Sequence, residues 1–365
     1  METDTPKQMQ HLFPEGYYFC YVLHGLTWVE AAIREPTHAP EAIQQAKFAF
    51  KHLESADGKA PFDPKLPPDH GMFYSAWKAH LLAGIVLIQN GESEEELNQL
   101  QRDCDSLATA FKQAQTPFLA SYPDAVWPCD SIPAIHAMKT YDSITGEQRY
   151  QSVIDKWLAD TRDRLDPATG LIPHVSLLPD GRRNSVARAT SQMILLRMLP
   201  DLDAEFAKQQ YEVFRERFLT KFIGIPCVFE YPDGSESNGD IDSGPLIFGR
   251  SLSATVFMIG TAQVFEDQPI ANAIAIAGET VGLPWTTGDK KSYVGGVLPI
   301  GDIMVTYSHN ARPWFDGQQH VPSQKPLSRF WRIWVHAISL LFLVPTIVLW
   351  RVKKRRLSKR AEPAD

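Results

Sequence analysis

Apolar residues along most of this chain recur at the three-to-four-residue spacing of amphipathic helices, and the helical runs come in pairs. The first helix of each pair is predicted to start near Tyr17, Met72, Asp130, Val186, Leu246 and Asp302, a period of about 57 residues. Second helices are predicted near Glu41–Glu54, Ser93–Gln115, Gly146–Leu165, Asp203–Phe218 and Gln268–Val281. Turn-rich strings separate the pairs: PFDPKLPPDHG, DPATGLIPH, EYPDGSESNGD and TTGDKKSYVGG. Their Pro, Gly, Asp and Asn favour the backbone angles of turns.

A fixed period of this length implies stacked helical hairpins. Open arrays use shorter repeats, roughly 34 to 47 residues. Six longer hairpins therefore predict an all-α fold, an (α/α)6 toroid over residues 1–320 in which first helices line an inner ring and second helices an outer one. The sixth pair lacks its second helix, because WFDGQQHVPSQKPLS follows the first. If the ring closes, an upstream segment could supply the twelfth helix.

The pattern changes at the C-terminus. IWVHAISLLFLVPTIVLW, from Ile333 to Trp350, contains no Asp, Glu, Lys or Arg. About 20 apolar residues cross the hydrocarbon core of a bilayer, and Trp331, Trp334 and Trp350 suit its interfaces. A linker over 321–330, a single transmembrane helix over 331–350 and a basic tail over 351–365 are expected. The run RVKKRRLSKR places the tail in the cytoplasm by the positive-inside rule, and hence the toroid on the extracytoplasmic side. METDTPKQMQHLFPEGYYF carries no basic segment followed by an apolar one, so either the toroid is cytoplasmic against the charge rule or an export signal lies upstream.

Charge narrows the partners. Up to residue 324 the chain holds 26 Lys+Arg against 41 Asp+Glu, a net −15, which argues against nucleic acid. Cys20, Cys104, Cys129 and Cys227 have neither metal-type nor redox-type spacing. Disulfides outside the cytoplasm stay open for them. No H-E-x-x-H pattern and no Gly-rich phosphate loop occurs, so neither a metal nor a cofactor is expected.

In a toroid the N-terminal ends of the first helices gather at one mouth. There the sequence places Glu15, Tyr17, His70, Tyr74, Trp127, Cys129, Asp130, His174, Arg188, Ser191, Gln192, Asp240 and Asp242. Aromatic walls with a few converging polar groups describe a small-molecule or sugar site. Tyr17, Trp127, His174, Arg188 and Gln192 are the expected substrate-binding residues. Each residue also has a plainer role. Asp at a helix start is an ordinary cap, free Cys is commonly a small buried hydrophobe, and a loop His is commonly structural. Concentration favours chemistry: GDIDSGP sets Asp240 and Asp242 two residues apart, and only one can cap.

The strings DPATGLIPH, ARATSQMILLRMLPDLD and EYPDGSESNGDIDSGP resemble the six-hairpin glycosidase-like superfamily. Within it they resemble membrane-associated bacterial proteins grouped with linalool dehydratase/isomerase-type toroids, over Phe13 to Pro313. The glycosidase resemblance implies two carboxylates, an acid and a base, held about 6.5–9.5 Å apart in an inverting enzyme. Asp130 and Asp242 form that pair, with Asp240 as helper. The dehydratase resemblance implies cofactor-free proton transfer on a small alcohol, with His70, Tyr74, Cys129 and Asp130 as catalytic candidates. A third expectation is a non-catalytic scaffold for a glycan or lipid-linked precursor. Fold alone does not choose among a hydrolase-like, a lyase-like or a binding role.

Overall fold

The computed structural model describes residues 4–222, 224–236, 238–288, 290–315, 337, 340–341 and 343–351. Five helical hairpins run through it. Their first helices are α2 (Gly16–Arg34), α5 (Gly71–Ile88), α7 (Ile132–Thr145), α9 (Ala189–Leu202) and α11 (Leu252–Val264). Their second helices are α3 (Ala39–Leu53), α6 (Glu94–Gln113), α8 (Gln151–Arg162), α10 (Ala204–Phe218) and α12 (Gln268–Val281). A sixth first helix, α13 (Pro299–Asn310), packs against both α11 and α2. The order α2–α5–α7–α9–α11–α13–α2 thus closes into an inner ring. The short α4 (Ala56–Lys59) sits beside α2 and α3.

The sixth outer position differs from expectation. Among the described residues, the helix beside α2 and α13 is the short α1 (Thr5–Leu12). Its Met9 is buried with Cys20 and Ile300. A Cβ on Gly16 would lie 2.3 Å from the Met9 carbonyl, so glycine there lets α1 fold back onto α2.

Inner and outer helices differ as their positions require. α5 is buried on every side, with Met72, Trp77, Leu81, Leu82 and Ile85 all inside. It is the one described helix long and apolar enough to cross a membrane, but it is 78% buried within the ring and is a core helix. α6 instead buries one stripe, Leu100, Cys104, Leu107, Ala108 and Phe111, at helical spacing. Glu94, Glu95 and Glu96 open it and Lys112 lies in its last turn, matching the helix dipole. Leu23, Leu26 and Leu53 are completely buried, each contributing roughly 1.5–3 kcal/mol.

Small sheets decorate the loops before the inner helices. β1 (Ser176–Leu177) pairs with β2 (Arg182–Arg183) ahead of α9. β3 (Leu219–Phe222), β4 (Ile225–Phe229) and β5 (Arg250–Ser251) form an antiparallel sheet between α10 and α11. β6 (Trp285–Thr287) and β7 (Lys290–Ser292) form a hairpin before α13. The expected helix start at Leu246 is therefore displaced to Leu252, because the chain first completes β5. The expected start at Asp302 moves back to Pro299.

The four cysteines are free and buried. The linker (321–330) and nearly all of the basic tail (351–365) lie outside the described residues. Within the expected transmembrane run, residues 337, 340–341 and 343–350 are helical.

Inside the ring, Glu30, His80, His136, Arg197, Asp201 and Trp314 enclose a cavity of about 10 Å³, the size of one water. Arg197 on α9 pairs with Glu30 on α2, and its guanidinium lies 3.7 Å from the Tyr307 ring centre. Trp314 stacks on His80 at 4.6 Å and 9°. Its backbone N–H donates to Asp201 at 3.0 Å. A Cβ on Gly260 would meet Arg197 at 2.4 Å, so α11 yields space to that side chain.

Candidate functional site

Asp130 ends the 3₁₀ turn Pro128–Asp130, one residue before the Ser131 that precedes α7. It is 4% exposed. The Ser121 hydroxyl donates to its Oδ2 at 2.5 Å, and the Cys129 thiol points at its Oδ1 from 3.7 Å. Ser121 is itself held by its backbone N–H on the Ala125 carbonyl at 3.0 Å. Gly71 makes room for this loop: at φ +84, a Cβ there would lie 2.4 Å from the Ser121 carbonyl oxygen. The start of α5 is tied to the same loop, since Met72 N–H donates to Ala120 at 2.9 Å.

Burial pushes the Asp130 carboxyl up to about 7. The Ser121 hydrogen bond opposes this, while the charge of Asp242 adds to it. Burial likewise holds the Cys129 thiol well above its ordinary range.

Asp240 and Asp242 arrive on the long loop between β4 and β5. Arg188, just before α9, donates from Nη1 to Asp240 Oδ2 and from Nε to Glu230 Oε1, the latter at 2.9 Å. Desolvation pushes Asp240 upward, but Arg188 and the Ser243 N–H and hydroxyl hold it well below the usual carboxylate range. Asp242 donates its backbone N–H to Asp240 Oδ1 at 3.1 Å and keeps its own carboxyl outside the ion pair. That carboxyl is raised to about 6, first by the surrounding protein mass, then by Asp240 and Glu15. The residue remains exposed to solvent, which screens part of this effect.

On one wall Tyr122 donates its hydroxyl to Glu15, and Trp127 meets the Tyr122 ring edge-on at 5.6 Å. On the other, His174 Nδ1 lies 2.6 Å from Ser191 Oγ, and His174 Nε2 lies 3.4 Å from Arg188 Nη1. His174 is lowered to about 4, by burial and then by the Arg188 charge, so its ring is neutral at pH 7.

The structure brings together Asp130, Cys129, His174, Arg188 and Asp240, with Asp242 and Glu15 acting on them through their charges. The other candidates sit differently. Tyr17 turns to α3 and bonds His52 at 2.7 Å. Tyr74 packs among Tyr18, Phe62 and His70, with its hydroxyl 3.4 Å from the Leu53 carbonyl. His70 takes a left-handed φ of 65° and faces Asp69 at 3.0 Å. Gln192 is buried and donates to the Ile172 carbonyl at 2.7 Å, which anchors the loop leading to His174. Sequence reading missed Ser121 and Glu230. Glu230 is fully buried under Arg188, and that pairing joins residues 42 positions apart.

No group of three His, Cys, Asp or Glu residues placed to hold a metal ion occurs among the described residues. The assembly is suited to proton transfer. It holds one carboxyl poised to be protonated near neutrality, a second that ionises slightly below it, and a third fixed as a charge by Arg188.

No protein-family model matches this sequence, and no curated protein matches it. Solved structures do. A GH76 α-mannanase from Bacteroides thetaiotaomicron aligns with a TM-score of 0.52 at 10% identity, covering 80% of this chain and 84% of that one. A polysaccharide lyase aligns at 0.49 and 14% identity, covering 84% and 94%. At such identity the mannanase likeness shows the fold, an α/α toroid.

Proposed function

We propose that this toroid is a glycan-acting enzyme that works by carboxylate acid/base catalysis, with Asp130 as the acid and Asp242 as the base. The observation that carries this reading is the difference between two neighbouring carboxyls. Asp130 is raised to about 7 and Asp242 to about 6. Asp130, the more deeply buried, keeps its proton to higher pH than Asp242, the order that an acid and a base require. Asp240, ionised against Arg188, raises Asp242 and orients its loop. Trp127 and Tyr122 offer the aromatic surface on which sugar rings stack. The likeness to an α-mannanase supports a glycan as substrate.

One observation favours a second reading, a dehydratase or isomerase acting on a small alcohol. The Cys129 thiol and the Asp130 carboxyl lie side by side in a buried setting. The contacts of His70 with Asp69 and of Tyr74 with Leu53 weigh against it, since neither joins that pair.

The reading includes a membrane anchor over 331–350, a cytoplasmic tail and an extracytoplasmic toroid. It is supported by the uncharged run and by the exposure of Leu341, Val344, Val348 and Leu349, apolar side chains that a bilayer would cover.

The test is a panel of oligosaccharides, uronic-acid sugars and terpene alcohols offered to the full chain and to Asp130→Asn and Asp242→Asn. Glycan turnover lost in both variants, each still folded, is the expected result. Turnover of the alcohols alone would replace it with the second reading, and ligand binding without turnover would make the domain a scaffold.

A further inference from the structure

A serine hydroxyl 2.6 Å from an imidazole nitrogen has the look of an activated nucleophile. The groups on the far side of that imidazole decide otherwise. Arg188 is a permanent donor. Its Nη1 carries two N–H groups, one directed to Asp240 and the other to His174 Nε2. Nε2 must therefore accept, which leaves the ring proton of neutral His174 on Nδ1. Nδ1–H then donates to Ser191 Oγ, so the imidazole cannot take the serine proton. The hydroxyl must send that proton elsewhere, and the Cys129 sulfur, whose charged form a Ser191 hydrogen bond favours, is placed to receive it. The thiol in turn points at Asp130 Oδ1.

We propose that Arg188 is a positioning residue that locks the His174 tautomer and so sets a one-way hydrogen-bond chain from Arg188 through His174, Ser191 and Cys129 to Asp130. The chain deepens the reading above, and rests on it only where Asp130 is taken as the acid. It joins the two carboxylate walls through one guanidinium, because the same Arg188 Nη1 holds Asp240. It also explains why Ser191 and His174 are buried together without forming a hydrolytic dyad. Both oxygens of Asp130 then face donors, Ser121 on Oδ2 and Cys129 on Oδ1, which favours its ionised form against burial.

The direct test is the ring ¹⁵N spectrum of His174 in the full chain in detergent micelles at pH 7. The expected pattern is a protonated Nδ1 and an unprotonated Nε2, with Ser191 unreactive towards a fluorophosphonate. The reverse tautomer in the wild-type protein, or fluorophosphonate labelling of Ser191, would overturn the proposal without any variant being needed. Arg188→Met should move the proton towards Nε2; a folded variant that keeps the Nδ1–H form would also overturn it. The effect on Asp130 is read from the titration of its carboxyl by infrared difference spectroscopy. Ser191→Ala should raise the midpoint by roughly half a unit, and Ser191→Thr should restore it. An unmoved midpoint in Ser191→Ala would show that the chain stops short of Asp130. None of these readouts needs turnover, so a correct tautomer with no glycan activity would remove the proposed function and leave the chain standing.

Discussion

The Ser121 hydroxyl donates to Asp130 Oδ2 at 2.5 Å from a loop nine residues earlier in the chain. This bond favours the charged carboxylate and so works against the burial that raises Asp130 to about 7. Ser121→Ala should therefore push the carboxyl higher still, by about half a unit to one unit. The alkaline limb of the pH–rate profile should shift upward accordingly. A profile that stays in place would mean that Asp130 does not carry the catalytic proton.

The profile of the unaltered protein follows from the same pair. Activity should rise as Asp242 ionises and fall at higher pH as Asp130 loses its proton, giving a bell-shaped profile. Asp242→Asn should abolish turnover, and Asp130→Asn should do the same. A broad plateau from pH 5 to pH 9 would exclude this assignment of roles.

Stability should carry the opposite mark. Asp130 binds its proton more tightly folded than unfolded, so the native state holds more protons between its ordinary value of 3.8 and about 7. Stability from this group is full below that window and is lost as pH rises through it. Asp130→Asn should flatten that decline and raise the melting temperature at pH 8 relative to the unaltered chain. Thermal scans at pH 5 and pH 8 compare the two. An equal pH slope in both proteins would place the cause elsewhere.

Arg188 supports two acidic partners, one of them the fully buried Glu230. Arg188→Met leaves that carboxyl without its cation and should cost about 3–5 kcal/mol in urea denaturation. Arg188→Lys should recover only part of it, because a single ammonium cannot reproduce the fork that reaches Glu230, Asp240 and His174 together. Full recovery by lysine would show that charge alone, and not geometry, is what the site uses.

Inside the ring, Trp314 fills the space between His80 and His136, with ring centres at 4.6 and 4.7 Å. Trp314→Ala should destabilise by about 3–5 kcal/mol through lost packing. Turnover per folded molecule should be unchanged, because Asp130 and Asp242, the proposed acid and base, do not line this cavity. A selective loss of turnover would show that the lumen and the mouth are coupled.

The periodicity of apolar residues placed most helix starts within a few positions. Tyr17 and Met72 lie one residue inside the observed helices, and Gln268–Val281 agrees with α12 at both ends. The prediction slipped where local pattern and tertiary pairing part company. Residues 219–251 form a sheet whose strands β4 and β5 pair across more than twenty residues, so no helical spacing marked the end of that loop. The site shows the same limit. Asp130, Asp240, Asp242, Arg188 and Cys129 stood out as unusual residues at helix starts. Ser121 and Glu230 did not, because their importance lies wholly in what they touch. Helical spacing also could not tell which side of a fully buried inner helix a ring would take, and Tyr17 and Tyr74 face neighbouring helices.

Trp314 has a mechanical consequence. Its indole lies flat on His80 of α5 and its backbone is tied to Asp201 of α9, so the chain leaves the ring clamped by two helices other than the one it has just left. A pull on the segment beyond Phe315 would be borne across the width of the ring rather than unwinding α13 from its end. Such a load would reach α5 and α9 directly, through the His80 ring and the Asp201 carboxylate, and would be shared by the ring as a unit.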